Sequence, residues 1–392
     1  MERVIISRRA EERILRGHPW AYQGEVSGGE KIPPGTVVAI GNRKGRVLGK
    51  GHYNPRSKIA LRVLTRDPEE AIDISFFRRR IGRALGYRER YVFRPDTDCY
   101  RLVFAEADFL PGLIVDRFGL YLVVQILTAG MENHREVIVD VLQELLKPQG
   151  IYERSDVSVR ELEGLPLRQG FIGPPFEPLV TVRENGLLLQ VDLASGQKTG
   201  YFLDQRDNRV FLRHFVRDRR VLDCFSYIGG FSLHAAFFGA REVIGVDLSE
   251  EAIRCAVRNA QLNGLEKVVH FEVANAFDFL REMDRTGERF EVVILDPPAF
   301  VKSKQALSGA LRGYKEINLR AMKIIAPGGI LMTSSCSHHL SLELFRAVLE
   351  EASLDVKRRI RILAERGQAL DHPVLLGYEE SQYLKCLVVE VV

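Results

Sequence analysis

Short apolar segments alternate with amphipathic ones from about residue 209 onward, and this alternation constrains the fold more than any other feature of the chain. Strands are predicted over residues 221–225, 243–247, 268–273, 291–295 and 330–334. Helices are predicted between them, over residues 229–238, 250–263, 276–283 and 314–325, the last one stopped by Pro327-Gly328-Gly329. Such a βαβ rhythm forms a doubly wound, mostly parallel sheet that binds its ligands at the carboxyl ends of the strands. The sequence therefore predicts an α/β domain.

The first part of the chain has a different pattern. Residues 4–63 alternate short apolar runs with Gly and Pro turn signals, which is typical of a compact β-barrel or sandwich, with one short basic helix over residues 7–14. An amphipathic helix between residues 67 and 94 leads to strands, a helix over residues 133–146, and further strands up to residue 193. This order predicts a small α+β unit between the two larger patterns.

Composition excludes several classes of protein. The chain has 392 residues, of which 46% are hydrophobic and 28% charged, so a disordered chain, a collagen-like repeat and a disulfide-stapled mini-protein are excluded. We predict three domains, at residues 1–66, 67–190 and 191–392. The five cysteines lack C-x-x-C spacing and are expected to be reduced thiols without a metal. Neither a secretory signal nor a long apolar span is evident, so we expect a cytoplasmic protein.

Charge is distributed unevenly along the chain. The net charge is only +4, but residues 1–66 contain 14 basic and 5 acidic side chains, which leaves the remainder slightly acidic. Such asymmetry suggests that the front module binds nucleic acid or another anionic partner, although a merely soluble basic surface would give the same count.

Acidic and glycine residues stand at the ends of the first two predicted strands. Asp223 precedes Gly229-Gly230, and Asp247 follows 17 residues after Gly230. Glycines at a strand-to-helix turn let the backbone approach a ligand, and an acid at the next strand end can accept hydrogen bonds from ribose hydroxyls, although many sheets need glycine there for packing alone. The acid at Asp223 would repel a pyrophosphate and would attract a positive amino-acid group. We therefore predict S-adenosylmethionine as the cofactor.

Later strand ends add three candidate groups. Asn275 and Phe277 could contact an adenine ring, but they could equally be a helix N-cap and a core aromatic. Asp296 is held rigidly by Pro297-Pro298 and could bind a base. Cys336 follows the last predicted strand, where a half-exposed thiol can act as a nucleophile. A zinc site that combines Cys336 with the two following histidines is not expected, because too few ligands are well spaced.

Five segments together resemble a known family. They are Gly17-His18-Pro19-Trp20, the run Lys-Thr-Gly-Tyr-Phe-Leu-Asp-Gln-Arg-Asp-Asn-Arg at 198–209, and residues 223–231, 296–304 and 334–339. The chain resembles bacterial large-subunit (23S) ribosomal RNA cytosine-5 methyltransferases with an amino-terminal PUA domain, over nearly its whole length. The resemblance implies a PUA RNA-binding domain, a central strand-strand-helix-strand-strand domain and a Rossmann-like class I methyltransferase domain.

The resemblance also implies residue roles. Cys336 and Asp296 would be catalytic, with Cys336 adding to carbon 6 of cytosine and Asp296 acting at ring nitrogen 3. S-adenosylmethionine would be bound by Asp223, Phe225, Ser226, Gly229, Asp247, Asn275, Ala276, Asp296, Gln205, Arg206 and Asn208. RNA would contact Pro297, Pro298, Phe300, Lys302, Arg8, Arg9, Lys44 and Arg46, with Lys50, Arg56 and Lys58 as further phosphate ligands. Asn275 departs from the family, which more often has Asp there.

Alternatives remain open at the level of the sequence. Some relatives methylate guanine without a thiol, and a non-catalytic RNA-binding assembly factor would also carry the basic front module. A small-molecule methyltransferase is disfavoured, because nearly 200 residues precede the predicted α/β domain. We expect large-subunit ribosomal RNA as the partner, no membrane and no metal, and we consider a homodimer.

Overall fold

The protein is described by a computed structural model that covers residues 1–300 and 307–392. It divides into two compact units. The N-terminal unit comprises residues 1–182, 191–203 and 370–381, and the C-terminal unit comprises residues 183–190, 204–369 and 382–392. In the described part of the chain, no helix has both the length and the apolar character needed to cross a membrane.

The N-terminal unit begins with a six-stranded sheet. Its strands are β1 (Arg3–Ile6), β2 (Trp20–Ala21), β3 (Val26–Ser27), β4 (Thr36–Asn42), β5 (Val47–Tyr53) and β6 (Leu61–Thr65), in the order β2-β6-β5-β4-β1-β3. Helix α1 (Arg8–Leu15) follows Ser7, whose side chain caps the helix by accepting a hydrogen bond from the amide of Ala10. Alternate residues such as Val38 and Ile40 point into a buried core, so the predicted β-rich front module is confirmed.

A second sheet in the same unit forms the central α+β module. Its strands are β7 (Cys99–Phe104), β8 (Leu113–Phe118), β9 (Tyr121–Ile126), β10 (Gly150–Ser155) and β11 (Arg168–Ile172), in sequential order across the sheet. The helices of this region are α2 (Ile74–Tyr91), α3 (Ala129–Glu132), α4 (Arg135–Leu146) and α5 (Val159–Leu162). Buried apolar faces of α2 and α4, including Phe76, Phe77 and Ile138, pack into one core with the strands.

A hairpin of β12 (Leu179–Glu184) and β13 (Leu187–Asp192) forms its own two-stranded sheet. The sequence had grouped these strands with the central module. Burial alternates along β12: Val180, Val182 and Glu184 are buried, and the residues between them are exposed. A strand with only one buried face suits an isolated hairpin that packs on one side.

The C-terminal unit is a seven-stranded sheet. Its strands are β14 (Arg220–Cys224), β15 (Glu242–Asp247), β16 (Val269–Val273), β17 (Phe290–Leu295), β18 (Ile325–Ser335), β19 (Ile360–Arg366) and β20 (Lys385–Val391), in the order β16-β15-β14-β17-β18-β20-β19. Its helices are α6 (Arg206–Phe211), α7 (Gly230–Phe237), α8 (Glu250–Leu262), α9 (Ala276–Thr286), α10 (Leu307–Ile324) and α11 (Leu342–Asp355). Strands β14 to β18 are mutually parallel, as the alternation predicts, and β20 runs antiparallel to both β18 and β19.

Strands β19 and β20 were not predicted from the sequence, and two details of the parallel part of this unit also differ from the prediction. Helix α10 begins at Leu307, earlier than expected, and β18 begins at Ile325 and passes through Pro327-Gly328-Gly329 instead of starting at Ile330. The pairing of β17 with β18 accommodates this longer strand by a register shift between Phe290 and Val292. A side chain at position 329 would meet the carbonyl oxygen of Glu291 at 2.8 Å, so glycine allows the strand to continue there.

Candidate active site

Three carboxylates meet at one edge of the seven-stranded sheet. Asp223 lies near the end of β14, Asp247 ends β15, and Asp296 directly follows β17. Strand β14 pairs in parallel with both β15 and β17, so the carboxyl ends of the three strands lie side by side. The structure thus brings together the acids that the sequence assigned to separate strand ends.

Asp223 is fully buried at the centre of this edge. Its Oδ2 accepts hydrogen bonds from the backbone amide of Ser232, at 2.9 Å, and from the Ser232 hydroxyl, at 2.6 Å. Burial, together with the negative charges of Asp296 and Asp247, raises the pKa of Asp223 to about 7. A carboxylate with this pKa changes its charge within the physiological range.

The turn between β14 and α7 is shaped by left-handed backbone conformations. Phe225, Tyr227 and Gly229 have φ angles of 68°, 50° and 88°. A side chain at Gly229 would approach the Phe271 ring to 2.8 Å, so this position requires glycine for space as well as for conformation. The turn therefore passes close to the edge of the sheet, as the predicted cofactor turn requires.

Asp247 organises the neighbouring loops. Its two carboxylate oxygens accept hydrogen bonds from the backbone amides of Tyr227 and Ser249, each at 2.9 Å. The side chain is half-buried, and each of its oxygens has a second lone pair that could accept a ligand hydroxyl.

Two buried oxygens near the start of the turn after β14 have no hydrogen-bond partner among the described residues. They are Oδ1 of Asp223 and the hydroxyl oxygen of Ser226. Buried polar atoms are almost always satisfied, so orphaned acceptors beside a glycine turn fit a bound group that carries ammonium or hydroxyl donors. S-adenosylmethionine has both, and the residues present fit this cofactor.

Asn275 has the capping role that the sequence left open. Its Oδ1 accepts a hydrogen bond from the amide of Phe277 at 2.9 Å, which caps α9. Asn275 is exposed, Ala276 is buried, and the Phe277 ring lies 6.2 Å from that of Phe300.

Asp296 is held by a chain of buried amides. Gln205 Nε2 donates to Asp296 Oδ1 at 2.8 Å, and Asn208 Nδ2 donates to Gln205 Oε1 at 2.7 Å. Arg366 Nε in turn donates to Asn208 Oδ1 at 2.8 Å. Gln205 and Asn208 were predicted as cofactor ligands; in the structure Gln205 contacts Asp296, and Asn208 contacts Gln205, Arg366 and the carbonyl oxygen of Gly367. Arg366 was not predicted, because β19 carries no motif.

Arg206 belongs to a neighbouring charged cluster. Its side chain is buried and lies 3.3 Å from Asp207. The Arg209 guanidinium pairs with the fully buried Glu184 through two hydrogen bonds of 2.7 and 2.8 Å. Burial acts to raise the pKa of Glu184, but the charges of Arg209, His234 and Arg206 hold it below its ordinary value. Arg206 is thus placed to support this ion pair.

Cys336 follows β18 and is half-buried, whereas the other four cysteines are buried. The serines on either side of it are anchored to helix α10: the Tyr314 hydroxyl accepts from Ser335 Oγ at 2.8 Å and lies 3.0 Å from Ser337 Oγ. This clamp fixes the backbone that presents the thiol. Sequence reasoning missed Tyr314, because a tyrosine within a helix gives no separate signal.

The remaining predicted contacts have varied surroundings. Pro297 is buried and Pro298 exposed, whereas Phe300 packs against Tyr314 with ring centroids 4.7 Å apart. Lys302 lies outside the described residues. Among the front-module residues predicted to contact RNA, those exposed to solvent are Arg8, Arg9, Lys44, Arg46, Arg56 and Lys58. Lys50 is buried and donates to the carbonyl of Glu70 at 2.9 Å, so it is not placed to bind phosphate.

No group of three metal-binding side chains occurs within residues 1–300 and 307–392. The glycine turn after β14 and the acids of successive strands lie at the carboxyl ends of the parallel strands, where such a sheet binds its ligand. The class of protein is a methyltransferase that uses S-adenosylmethionine. The sequence matches the family of S-adenosylmethionine-dependent methyltransferases over residues 169–361 and a PUA-like domain over residues 4–66.

Full-length relatives place the chain more narrowly. It is 43% identical to a protein of Erwinia tasmaniensis named ribosomal RNA large subunit methyltransferase I, with 100% of this chain and 99% of the relative covered. A protein of the same name from Cronobacter sakazakii is 43% identical, with 98% of each chain covered. The chain belongs to the ribosomal RNA large subunit methyltransferase I family.

Solved structures agree with this fold. A methyltransferase in complex with SAH superposes with a TM-score of 0.86 at 21% identity, with both chains covered completely. A SAM-dependent methyltransferase from Streptococcus mutans superposes with a TM-score of 0.84 at 22% identity, again over both whole chains.

Proposed function

We propose that this protein methylates large-subunit (23S) ribosomal RNA at carbon 5 of a cytosine, with Cys336 as the nucleophile. The observation that carries the proposal is the half-exposed Cys336 thiol beyond β18, on the strand adjacent to the one that ends at Asp296. Strands β17 and β18 are parallel, with Leu295 opposite Thr333, so Asp296 and Cys336 leave the same edge of the sheet.

The chemistry requires a thiolate and an acid. Carbon 5 of cytosine is a poor nucleophile, and addition of the Cys336 thiolate to carbon 6 moves the ring electrons so that carbon 5 becomes nucleophilic. Asp296 would donate a hydrogen bond or a proton at ring nitrogen 3 and so stabilise the negative charge that develops on the ring. S-adenosylmethionine, when bound, supplies the methyl group. Loss of the carbon 5 proton to a base, expulsion of the Cys336 thiolate and return of the proton from ring nitrogen 3 to Asp296 then complete the reaction.

Gln205 and Asn208 would support this step indirectly. Gln205 donates to Oδ1 of Asp296 and so fixes the orientation of this carboxylate, and Asn208 and Arg366 prevent Gln205 from rotating away. We therefore assign these residues to the positioning of Asp296.

The RNA would be held by the front module. The six predicted RNA contacts of this module that are exposed would bind phosphates, which predicts binding that weakens steeply with salt. The target cytosine must be single-stranded or flipped out, because carbon 6 is inaccessible to a thiol within a paired helix.

One experiment tests the proposal. The protein is incubated with methyl-labelled S-adenosylmethionine and unmodified large-subunit ribosomal RNA, and the nucleosides are identified by mass spectrometry. We expect labelled 5-methylcytidine, and we expect Cys336→Ala to lose transfer while it retains cofactor binding. Cys255→Ala, a buried cysteine on α8, is the matched control and keeps its activity.

Other outcomes would replace the proposal. Labelled guanosine, or full activity of Cys336→Ala, would assign the protein to the guanine methyltransferases. Absence of label on both naked RNA and immature ribosomal particles, with RNA binding intact, would identify a non-catalytic assembly factor. The three domain limits, the cytoplasmic location and the homodimer are parts of the proposal that limited proteolysis, fractionation and sedimentation would check.

A further inference from the structure

Lys385 lies beside the proposed nucleophile, Cys336, although it is distant from it in sequence. It begins β20, which pairs antiparallel with β18, and it stands opposite Ser335. Cys336 is the next residue after Ser335, so the strand pairing brings the base of the Lys385 side chain to the start of the Cys336 loop.

The Lys385 ammonium group is tied to that loop. Its Nζ donates hydrogen bonds to the carbonyl oxygen of Ser337 and to that of Tyr383, both at 2.7 Å. The residue is only 8% exposed, and none of the described carboxylates forms an ion pair with it. A buried ammonium without a counter-ion is costly, so its position indicates that a negative charge forms nearby.

The nearby group that can become negative is the Cys336 thiol. Burial lowers the pKa of Lys385 to about 8, and the charge of Cys336 acts in the opposite direction and raises it. This coupling is mutual, since a cation that is stabilised by a thiolate stabilises that thiolate equally.

Other titratable groups stand on the elements around Lys385. Tyr314 on α10 bonds to the serines that flank Cys336, and the ring of His338 lies 5.7 Å from that of Tyr383. The Tyr383 hydroxyl donates a hydrogen bond to the Asp204 carboxylate at 2.6 Å. The cation whose charge is seen to couple to Cys336 is Lys385, on the strand paired with β18.

We propose that Lys385 is a positioning residue that holds the Cys336 loop through Ser337 and stabilises the Cys336 thiolate with its positive charge. The S–H proton passes to a base in solution, the electron pair remains on sulfur, and the ammonium balances the new charge. The inference rests on the proposed nucleophilic role of Cys336. Its test is separable, because it measures the thiol and not methyl transfer.

The test compares three substitutions at one position. Lys385→Gln keeps a hydrogen-bond donor and removes the charge, Lys385→Arg keeps both, and Lys385→Met removes both. The pH dependence of Cys336 alkylation by iodoacetamide is followed on the isolated peptide by mass spectrometry. Lys323→Met is the control, since Lys323 pairs with Asp284 at the surface of the same unit.

We expect the alkylation midpoint of Lys385→Gln and Lys385→Met to rise by about one pH unit, the lower end of the shift that a neighbouring opposite charge produces. Lys385→Arg should stay close to the unmodified protein. An unchanged midpoint in the folded Lys385→Gln variant would overturn the proposal, and so would an equal rise in Lys385→Arg. If Lys385→Met does not fold, the Gln and Arg variants still decide the question. Loss of 5-methylcytidine formation with normal alkylation shifts would count against the proposed function alone.

Discussion

The raised pKa of Asp223 leads to a quantitative prediction about cofactor binding. The carboxylate should attract the ammonium end of S-adenosylmethionine only when it is ionised. With a pKa of about 7, roughly one-tenth of the protein has the ionised form at pH 6. Affinity at pH 6 should therefore be about tenfold lower than on the plateau above pH 7, which corresponds to about 1.4 kcal/mol.

Titration calorimetry with S-adenosylmethionine at pH 6, 7 and 7.5 measures this dependence. Repeating the pH 6 titration in two buffers with different heats of ionisation should reveal release of about one proton per bound cofactor. The matched variant is Asp223→Asn, which can still accept the hydrogen bonds of Ser232 but cannot ionise. It should bind more weakly above pH 7 and show no proton release from this site, while titration of the ligand's own amino group stays the same in both proteins.

The reasoning would be refuted by an affinity that is flat between pH 6 and 7.5. It would equally be refuted if Asp223→Asn released the same number of protons as the unmodified protein. In either case the orphaned Oδ1 would have to be satisfied by something other than a cationic ligand group.

Three further predictions concern stability and positioning. Burial lowers the pKa of His52 to about 3, so the folded state resists protonation of this side chain. The free energy of unfolding should therefore decrease by about 2 kcal/mol as the pH falls from 6.5 to 5, and urea unfolding of His52→Leu should show a smaller decrease. Glu184→Gln leaves the Arg209 charge buried without its partner and should cost about 3–5 kcal/mol by the same measurement, whereas replacing both residues with leucine should recover much of that loss. Gln205→Ala should lower kcat about tenfold and leave the Kd for S-adenosylmethionine within about twofold, and a selective loss of cofactor affinity instead would make Gln205 a cofactor ligand.

The sequence predicts the parallel part of the sheet because each of these strands is marked by residues that are close together in the sequence. Each apolar run of β14 to β18 is bounded by its own turn residues, and acids at strand ends share one edge by geometry alone. Strands β19 and β20 were not predicted, since antiparallel strands added late in the chain lack the βαβ alternation. Lys385 was missed for this reason, because its relation to Cys336 exists only through the pairing of β18 with β20.

Other contacts of the candidate site depend on which side chains are buried, and the sequence alone does not show this. Lys50 counted as a phosphate ligand by its charge, but the fold turns it inward to a backbone carbonyl. Gln205 and Asn208 belonged to a recognisable motif, yet only the structure shows that their amides meet Asp296. Residue type and motif thus identified the candidate site residues, and the packing of the folded chain determined which of them are in contact.

The left-handed turn after β14 also bears on how this protein could be engineered. Phe225 and Tyr227 adopt positive φ angles that ordinarily favour glycine, and such conformations cost about 1–3 kcal/mol each. At Phe225 the ring packs against the core, and its loss would cost more than the relieved strain, so only Tyr227 is a candidate for glycine in a selection for heat resistance. A Tyr227→Gly protein would melt later, but its cofactor turn would be looser in the unbound state, so a gain in thermostability at this position should lower the affinity for the cofactor.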